Sequence, residues 1–364
     1  MSALSPAHLP APGGLVLTDA HRALFRGLPK AELHCHLLGT VRHRTFLDLA
    51  ARAGAPVSPE EIARFYARGD KPVGVLHILR LLDQRLITRP GDLHRLAYEY
   101  LEDARAHGVR YSEFFWNPTG TARDSGIPYG PALDAILAAM ADAERDHGII
   151  ARLIPSIDRE AGAQAAVEMV EWLLARRRPE VVGIGIDYRE TEHPPEGFWK
   201  AYRLARKAGL RTTAHAGEFG TPWQNVETAL ELLQCDRIDH GYTVVDRPEL
   251  ARACAERGTV FTVVPSNSYY LRTLAPERWA LDHPIRAMAA LGLKLHPNSD
   301  DPAFHQVTPS QVWELMVSHF GFGLADLRGF MLNGLDGAWI DDSTRATWER
   351  EWAAEFDRLA AACP

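Results

Sequence analysis

The chain has 364 residues, 46% hydrophobic and 24% charged, a balance that suits a globular protein with a full core and excludes an intrinsically disordered one. A formal net charge of -7 is the wrong sign for duplex nucleic acid or an anionic membrane, since either selects a basic face, and a small molecule is the expected partner. Cys35, Cys235, Cys254 and Cys363 are too scattered for a disulfide framework or a CxxC metal clip and point to a reducing cytoplasm.

In chain order, the opening MSALSPAHLPAPGG has neither a basic leader nor an apolar run of export length, and no later segment nears about 20 unbroken apolar residues. An intracellular chain is expected, with 1–27 as an N-terminal extension. Short β-branched or apolar runs bounded by Gly, Pro or charge predict strands at 32–36, 110–116, 150–155, 181–187, 211–215, 236–240, 259–264 and 293–299. Helical patterns with apolar residues three and four apart lie between them at Gly130–Arg145, Ala161–Arg176, Gly197–Ala208, Asn225–Leu233 and Arg247–Arg257.

This alternation predicts an α/β chain of parallel units, and the count of eight strands favours a closed (β/α)8 TIM barrel over an open doubly wound sheet. The interval 41–107 is too long for one crossover and holds helical patterns at Arg42–Ala53, Pro59–Tyr66 and Val75–Leu86. It is expected to be a helical insertion after the first strand that caps the C-terminal mouth, and 309–364 to supply closing helices of the same domain.

Reactive side chains gather at the predicted strand ends, where such barrels place their chemistry. His34 and His36 lie two apart, so a strand presents both to one face and one metal. For an isolated HxH, two satisfied polar side chains are an equally good reading, and a lone histidine such as His215 is more often structural. Yet His215 ends the fifth strand with Glu218 just beyond it, the sixth ends at His240, and the eighth runs into Asp300 and Asp301. Four strand ends thus supply His, Glu or Asp. Three imidazoles and a carboxylate suit a single Zn2+, which lowers the pKa of bound water from about 15.7 toward about 7 and points to hydrolysis. By strand alternation Cys35 points away from the metal, toward packing. His305 and Phe304 are candidates for the pocket wall, Trp116 for purine stacking with the core as its commoner fate, and His283 and His296 for structural duty.

The chain resembles the adenosine and adenine deaminase family of the metal-dependent amidohydrolases in LPKAELHCHLLGT at 28–40, TAHAGE at 213–218, RIDHGY at 237–242, PSNS at 265–268 and NSDDPAF at 298–304. These strings keep the family's order over nearly the whole chain. The resemblance implies His34, His36, His215 and Asp300 as zinc ligands, and Glu218 as proton donor to N1 of the purine. It further implies His240 as the group that orients and deprotonates water with help from Asp300, and Asp301 as the partner of N7. The strings GIGID at 183–187, Glu190, HPP at 193–195 and FFWNP at 114–118 lean toward the adenine deaminase branch.

There are two departures. Leu38 stands where the family carries an acidic residue, which holds the ribose 5′-hydroxyl in adenosine deaminases, and leucine has no hydrogen-bonding atom to offer. Tyr188-Arg189 replaces two serines of the adenine branch, or the glycine whose backbone serves the N3 side in the adenosine branch, so Tyr188 is expected at the far edge of the purine. Adenosine is therefore expected to be a poor substrate and adenine, or an adenine bearing an apolar group, a better one. The rival enzyme reading is an amide, lactone or phosphoester hydrolase with two metals, which the pairing of Glu218 with Asp301 and the lack of a lysine at the fourth strand end disfavour. The rival non-enzymatic reading is a binding barrel, which would be expected to have lost a ligand or the acid.

Overall fold

The computed structural model describes residues 15–363 except 56, 68–72, 219, 268–273 and 276. The opening 1–14 and Ser268 of the PSNS string lie outside the described residues. Eight strands, β1 (Lys30–Glu32), β2 (Val109–Trp116), β3 (Ile150–Asp158), β4 (Gly183–Asp187), β5 (Arg211–Ala216), β6 (Arg237–His240), β7 (Val260–Val263) and β8 (Lys294–Pro297), pair in chain order, and every pair is parallel. The ring closes beyond the last strand: the His36 amide donates to the Asp300 carbonyl and the Asp300 amide to the His34 carbonyl, each at 2.9 Å. The fold is a (β/α)8 barrel.

The first strand is shorter and earlier than the 32–36 read from sequence. The backbone amide of Leu33 donates to the Asn298 side chain at 2.8 Å instead of a neighbouring strand, so the regular ladder stops. Only single bridges, Cys35 to Asp300 and His36 to Phe115, continue it. His34 and His36 thus sit in extended chain just past the strand, already at the mouth.

Helices α1 (Asp19–Gly27), α2 (His43–Ala53), α3 (Pro59–Phe65), α4 (Val75–Leu81) and α5 (Pro90–Ala106) occupy the chain up to β2, apart from β1 itself. The apolar spacing dictates them: α5 starts with Pro90 in its first turn and buries Leu93, Leu96, Ala97, Tyr100, Leu101 and Ala104 on one face. The Val75–Leu86 pattern breaks after Leu81 into a π-turn, Leu82–Leu86, which lets Leu82, Asp83 and Leu86 all turn inward. Beyond β2, the outer layer is α6 (Tyr129–His147), α7 (Ala163–Ala175), α8 (Trp199–Lys207), α9 (Gln224–Glu231), α10 (Pro248–Arg257) and α11 (Ile285–Ala290). A short helical turn, Pro302–His305, and three longer helices, α12 (Pro309–Ser318), α13 (Leu324–Gly337) and α14 (Asp342–Ala360), follow β8.

Away from the mouth, the barrel interior holds a buried ion pair. Arg237 of β6 donates to Glu113 of β2, with further bonds at 3.0 Å to the carbonyls of Leu33 and Gly337, and its guanidinium lies 4.2 Å from the Trp339 ring. These bonds satisfy a charge that would otherwise be costly in the core. Among the described residues, no helix is long and apolar enough to cross a membrane.

Candidate active site

Three imidazoles and one carboxylate meet at the mouth. In each ring one nitrogen is held from behind. His34 Nδ1 lies 3.2 Å from the Thr262 carbonyl, which can only accept, so Nδ1 carries the hydrogen and Nε2 the lone pair. His36 Nδ1 lies 3.3 Å from Asp187 Oδ2, and His215 Nδ1 lies 3.3 Å from Asp239 Oδ2.

The inward nitrogens crowd together: His36 Nε2 is 3.1 Å from His215 Nε2 and 3.2 Å from Asp300 Oδ1, and His34 Nε2 is 3.7 Å from the same oxygen. His34 Nε2 is buried with no hydrogen-bond partner among the described residues. One donor atom from each of His34, His36, His215 and Asp300 lies within 4.8 Å of the others, a set that fits zinc. Carboxylates behind two of the imidazoles orient the rings as metal sites require. Burial, then the neighbouring His215, lowers the His34 pKa to about 3, which keeps that ring neutral and able to ligate. Asp300 is held well below the carboxylate range because His34 and His36 outweigh its burial.

Backbone strain marks the same strand ends. Tyr188, His240 and Asp300, just past or at the ends of β4, β6 and β8, have φ of 66°, 65° and 64°. Left-handed backbone costs a non-glycine residue about 1–2 kcal/mol and persists where the surroundings impose it.

Glu218 is placed by its neighbours. Gly217 turns the chain at φ 75°, and a Cβ there would meet Thr243 Oγ1 at 2.6 Å, so glycine is required. Glu190 then accepts from the Gly217 amide at 2.8 Å, the Glu218 amide at 3.1 Å and the Asn225 side chain at 2.7 Å. Arg159, fully buried, donates to the His215 carbonyl at 2.6 Å and the Asp187 carbonyl at 3.0 Å, tying two strand ends together. Burial, then the charge of Asp300, pushes the Glu218 carboxyl well above its ordinary range.

His240 is held in one tautomer. The Tyr242 hydroxyl donates to the Val264 carbonyl at 3.1 Å and accepts from the Val264 amide at 3.0 Å. Its only hydrogen is therefore used, and His240 Nδ1, 3.1 Å away, must donate to it. The lone pair falls on Nε2, which lies 3.6 Å from Glu218 Oε2. Burial, then His34 and His215, lowers the His240 pKa well below that of free histidine.

A cavity of about 420 Å³ opens onto these groups. Asp301 lines it and packs on Gly39, where a Cβ would meet Asp301 Oδ1 at 1.8 Å. Burial, then Asp300, pushes the Asp301 pKa well up. Tyr188 lines the cavity too, with the Arg80 guanidinium 4.1 Å from its ring. Arg80 is itself paired to Asp158 at 2.6 Å and Glu160 at 3.1 Å. Helix α4 contributes Val75, Leu76 and Leu79 to the wall.

The structure thus brings His36, His215, Glu218, His240, Asp300, Asp301 and Tyr188 to one cavity, and His305 with them, while His34 stands behind the lining within reach of the other donors. Phe304 and Trp116 belong to the core instead: Phe304 packs on Tyr66, and Trp116 bonds Thr121 and stacks on Tyr129. Cys35 is fully buried, and His296 bonds the carbonyls of Phe330 and Ala31. Leu38 is buried in a 3-10 turn outside the cavity's described lining. The roles of Asp187, Asp239, Thr262, Arg159 and Asn267 were not read from sequence. Asp187 and Asp239 lay within quoted strings, at strand ends, and that position was the available signal.

Buried donors for one cation, a raised carboxyl and a neutral imidazole at the C-terminal mouth of a (β/α)8 barrel define a metal-dependent hydrolase. The Adenosine deaminase family model matches residues 29–351, and the chain belongs to that family. An adenine deaminase of Rhodopseudomonas palustris is 34% identical over 95% of this chain and 99% of its own length. A Burkholderia ambifaria amidohydrolase crystal structure with bound zinc is 66% identical, covers 98% of both chains and superposes with a TM-score of 0.94. The adenine deaminase structure from Arthrobacter aurescens is 29% identical over 91% of this chain and all of its own, with a TM-score of 0.83. The protein is a metal-dependent purine deaminase that hydrolyses a C–N bond.

Proposed function

We propose that the chain converts a 6-aminopurine to the 6-oxopurine with release of ammonia or an amine, using one zinc ion held by His34, His36, His215 and Asp300. The observation that carries this reading is the convergence of that donor set with Glu218, His240 and Asp301 on one cavity. The zinc in the similar Burkholderia structure supports the choice of ion. When bound, zinc supplies the Lewis acidity that makes water nucleophilic at neutral pH.

The chain's own groups do the rest. Glu218, protonated because burial and Asp300 raise its pKa, donates to ring N1 and draws electron density from C6. Neutral His240 accepts the proton of the attacking water on Nε2, and Asp300 shares that task. Asp301, protonated for the same reasons as Glu218, donates to N7, which accepts in the 9H form of adenine. Each proton transfer contributes typically about 10²–10⁴-fold.

Adenine, or an adenine with an apolar N6 substituent, is placed ahead of adenosine. Leu38 offers no partner for a ribose hydroxyl, Tyr188 bounds the far edge of the purine, and Val75, Leu76 and Leu79 make one wall apolar. On this reading the 41–107 segment is a cap over the mouth of a single barrel domain, with 1–27 an extension and 309–364 its closing helices. A cytoplasmic location accords with four free cysteines. Steady-state assays of adenine, adenosine and N6-alkyl adenines, followed by ultraviolet loss at the adenine band, test the assignment. Faster turnover of adenosine than of the free bases overturns the substrate order, and a flat trace on all of them with zinc-loaded protein overturns the reaction.

A further inference from the structure

The PSNS string has no part in the reaction so far. Its Asn267 is 3% exposed, and its side-chain nitrogen donates to Glu218 Oε1 at 2.9 Å and to Asp300 Oδ2 at 2.8 Å. A carboxamide nitrogen has two hydrogens, and both are used here on carboxylates from different strand ends. The geometry decides which oxygen of each carboxylate remains for chemistry. With Oδ2 anchored, Asp300 turns Oδ1 toward His36 Nε2 at 3.2 Å and His34 Nε2 at 3.7 Å. With Oε1 anchored, Glu218 turns Oε2 toward His240 Nε2 at 3.6 Å.

Few side chains can do this. A neutral group with two hydrogens on one atom bridges the two acids, accepting oxygen by accepting oxygen, without adding charge to a buried site. Serine has one hydrogen to give, leucine none, and aspartate at most one, at the cost of a third acid. The turn at 265–267 that carries Asn267 is itself fixed: Trp279 Nε1 donates to the Pro265 carbonyl at 3.0 Å, and the Asn267 amide donates to the Val264 carbonyl at 3.3 Å.

We propose that Asn267 is a positioning residue that holds the cation-ligating carboxylate and the proton-donating carboxylate through one amide group, so that cation affinity and proton delivery depend on the same side chain. This rests on the roles proposed above for Asp300 and Glu218. A role confined to packing would leave both quantities in place.

The test uses full-length Asn267→Leu, of similar shape without donors, and Asn267→Asp, isosteric, so that one is readable if the other fails to fold. Zinc affinity is measured by chelator competition, and kcat and KM on the best 6-aminopurine at saturating zinc. Expected in each folded variant is zinc binding weaker by about 10–100-fold, kcat lower by about 100-fold, and KM within about threefold of wild type. A loss confined to zinc affinity, confined to kcat, appearing as a rise in KM alone, or absent from both overturns the proposal. Were the wild-type protein inert on every purine, the functional reading would fall, and the zinc measurement would still decide whether Asn267 holds Asp300.

Discussion

Asp239 braces two imidazoles at once. Its Oδ2 lies 3.3 Å from Nδ1 of His215, and its Oδ1 accepts from the Thr262 hydroxyl at 2.7 Å, whose oxygen lies 3.1 Å from Nδ1 of His34. Burial alone would push this carboxyl up, yet His215, then His34 and Arg237, hold it well below its ordinary range. Asp239→Asn keeps the shape and removes the charge. Zinc affinity is expected to fall by about 10–100-fold, read by chelator competition, with much of kcat recovered in excess zinc.

Glu218 stands outside the four-donor set, so its loss separates chemistry from metal binding. Glu218→Gln should lower kcat/KM by at least about 10²–10⁴-fold while metal analysis still finds zinc at the wild-type level. Turnover near wild type would remove Glu218 from the acid's role.

Glu190 acts one step further back, because its two oxygens hold the amides of Gly217 and Glu218. Glu190→Gln replaces one acceptor with a donor facing a backbone N–H. A fall in kcat of about tenfold or more is expected, consistent with about 1–3 kcal/mol for a broken buried bond, with zinc affinity within about threefold of wild type.

Asp83, which is not among the metal donors, provides a separate pH dependence. Burial, then Asp124, raises its pKa to about 8 from the usual 3.8, and its Oδ2 has no hydrogen-bond partner among the described residues. Between those two values the folded chain binds more protons at this site than the unfolded chain. Its contribution to stability is therefore present in full below about pH 4 and is lost as pH rises through about 8. Asp83→Asn removes the loss. The variant should melt higher than wild type by about 2 °C or more at pH 8.5, with the gap closing toward pH 4, in paired thermal scans.

Much of this molecule was legible from its residues. Strand positions followed from apolar runs closed by Gly, Pro or charge, and seven of the eight came within three residues at either end. The exception, near His34, was set by the Asn298 side chain taking the Leu33 amide, a contact between residues far apart in sequence that periodicity cannot register. The π-turn at Leu82–Leu86 escaped for a related reason, since an apolar helical pattern does not say where a turn widens to bury Asp83. In the site, the convergence of His34, His36, His215 and Asp300 could be anticipated because each stands at a predicted strand end within a string that resembles the family's. The parts of Thr262 and Asn267 could not, because a threonine in a strand and an asparagine in a turn are ordinary there, and only the fold reveals what stands opposite them.

The left-handed backbone at His240 and Asp300 sets folding against function. On the roles proposed above, glycine at either position would relieve the backbone but remove a group the reaction needs and empty a buried site that the side chain fills. On those roles, a histidine and an aspartate kept on a strained backbone are explained by the chemistry they serve and not by the ease of folding.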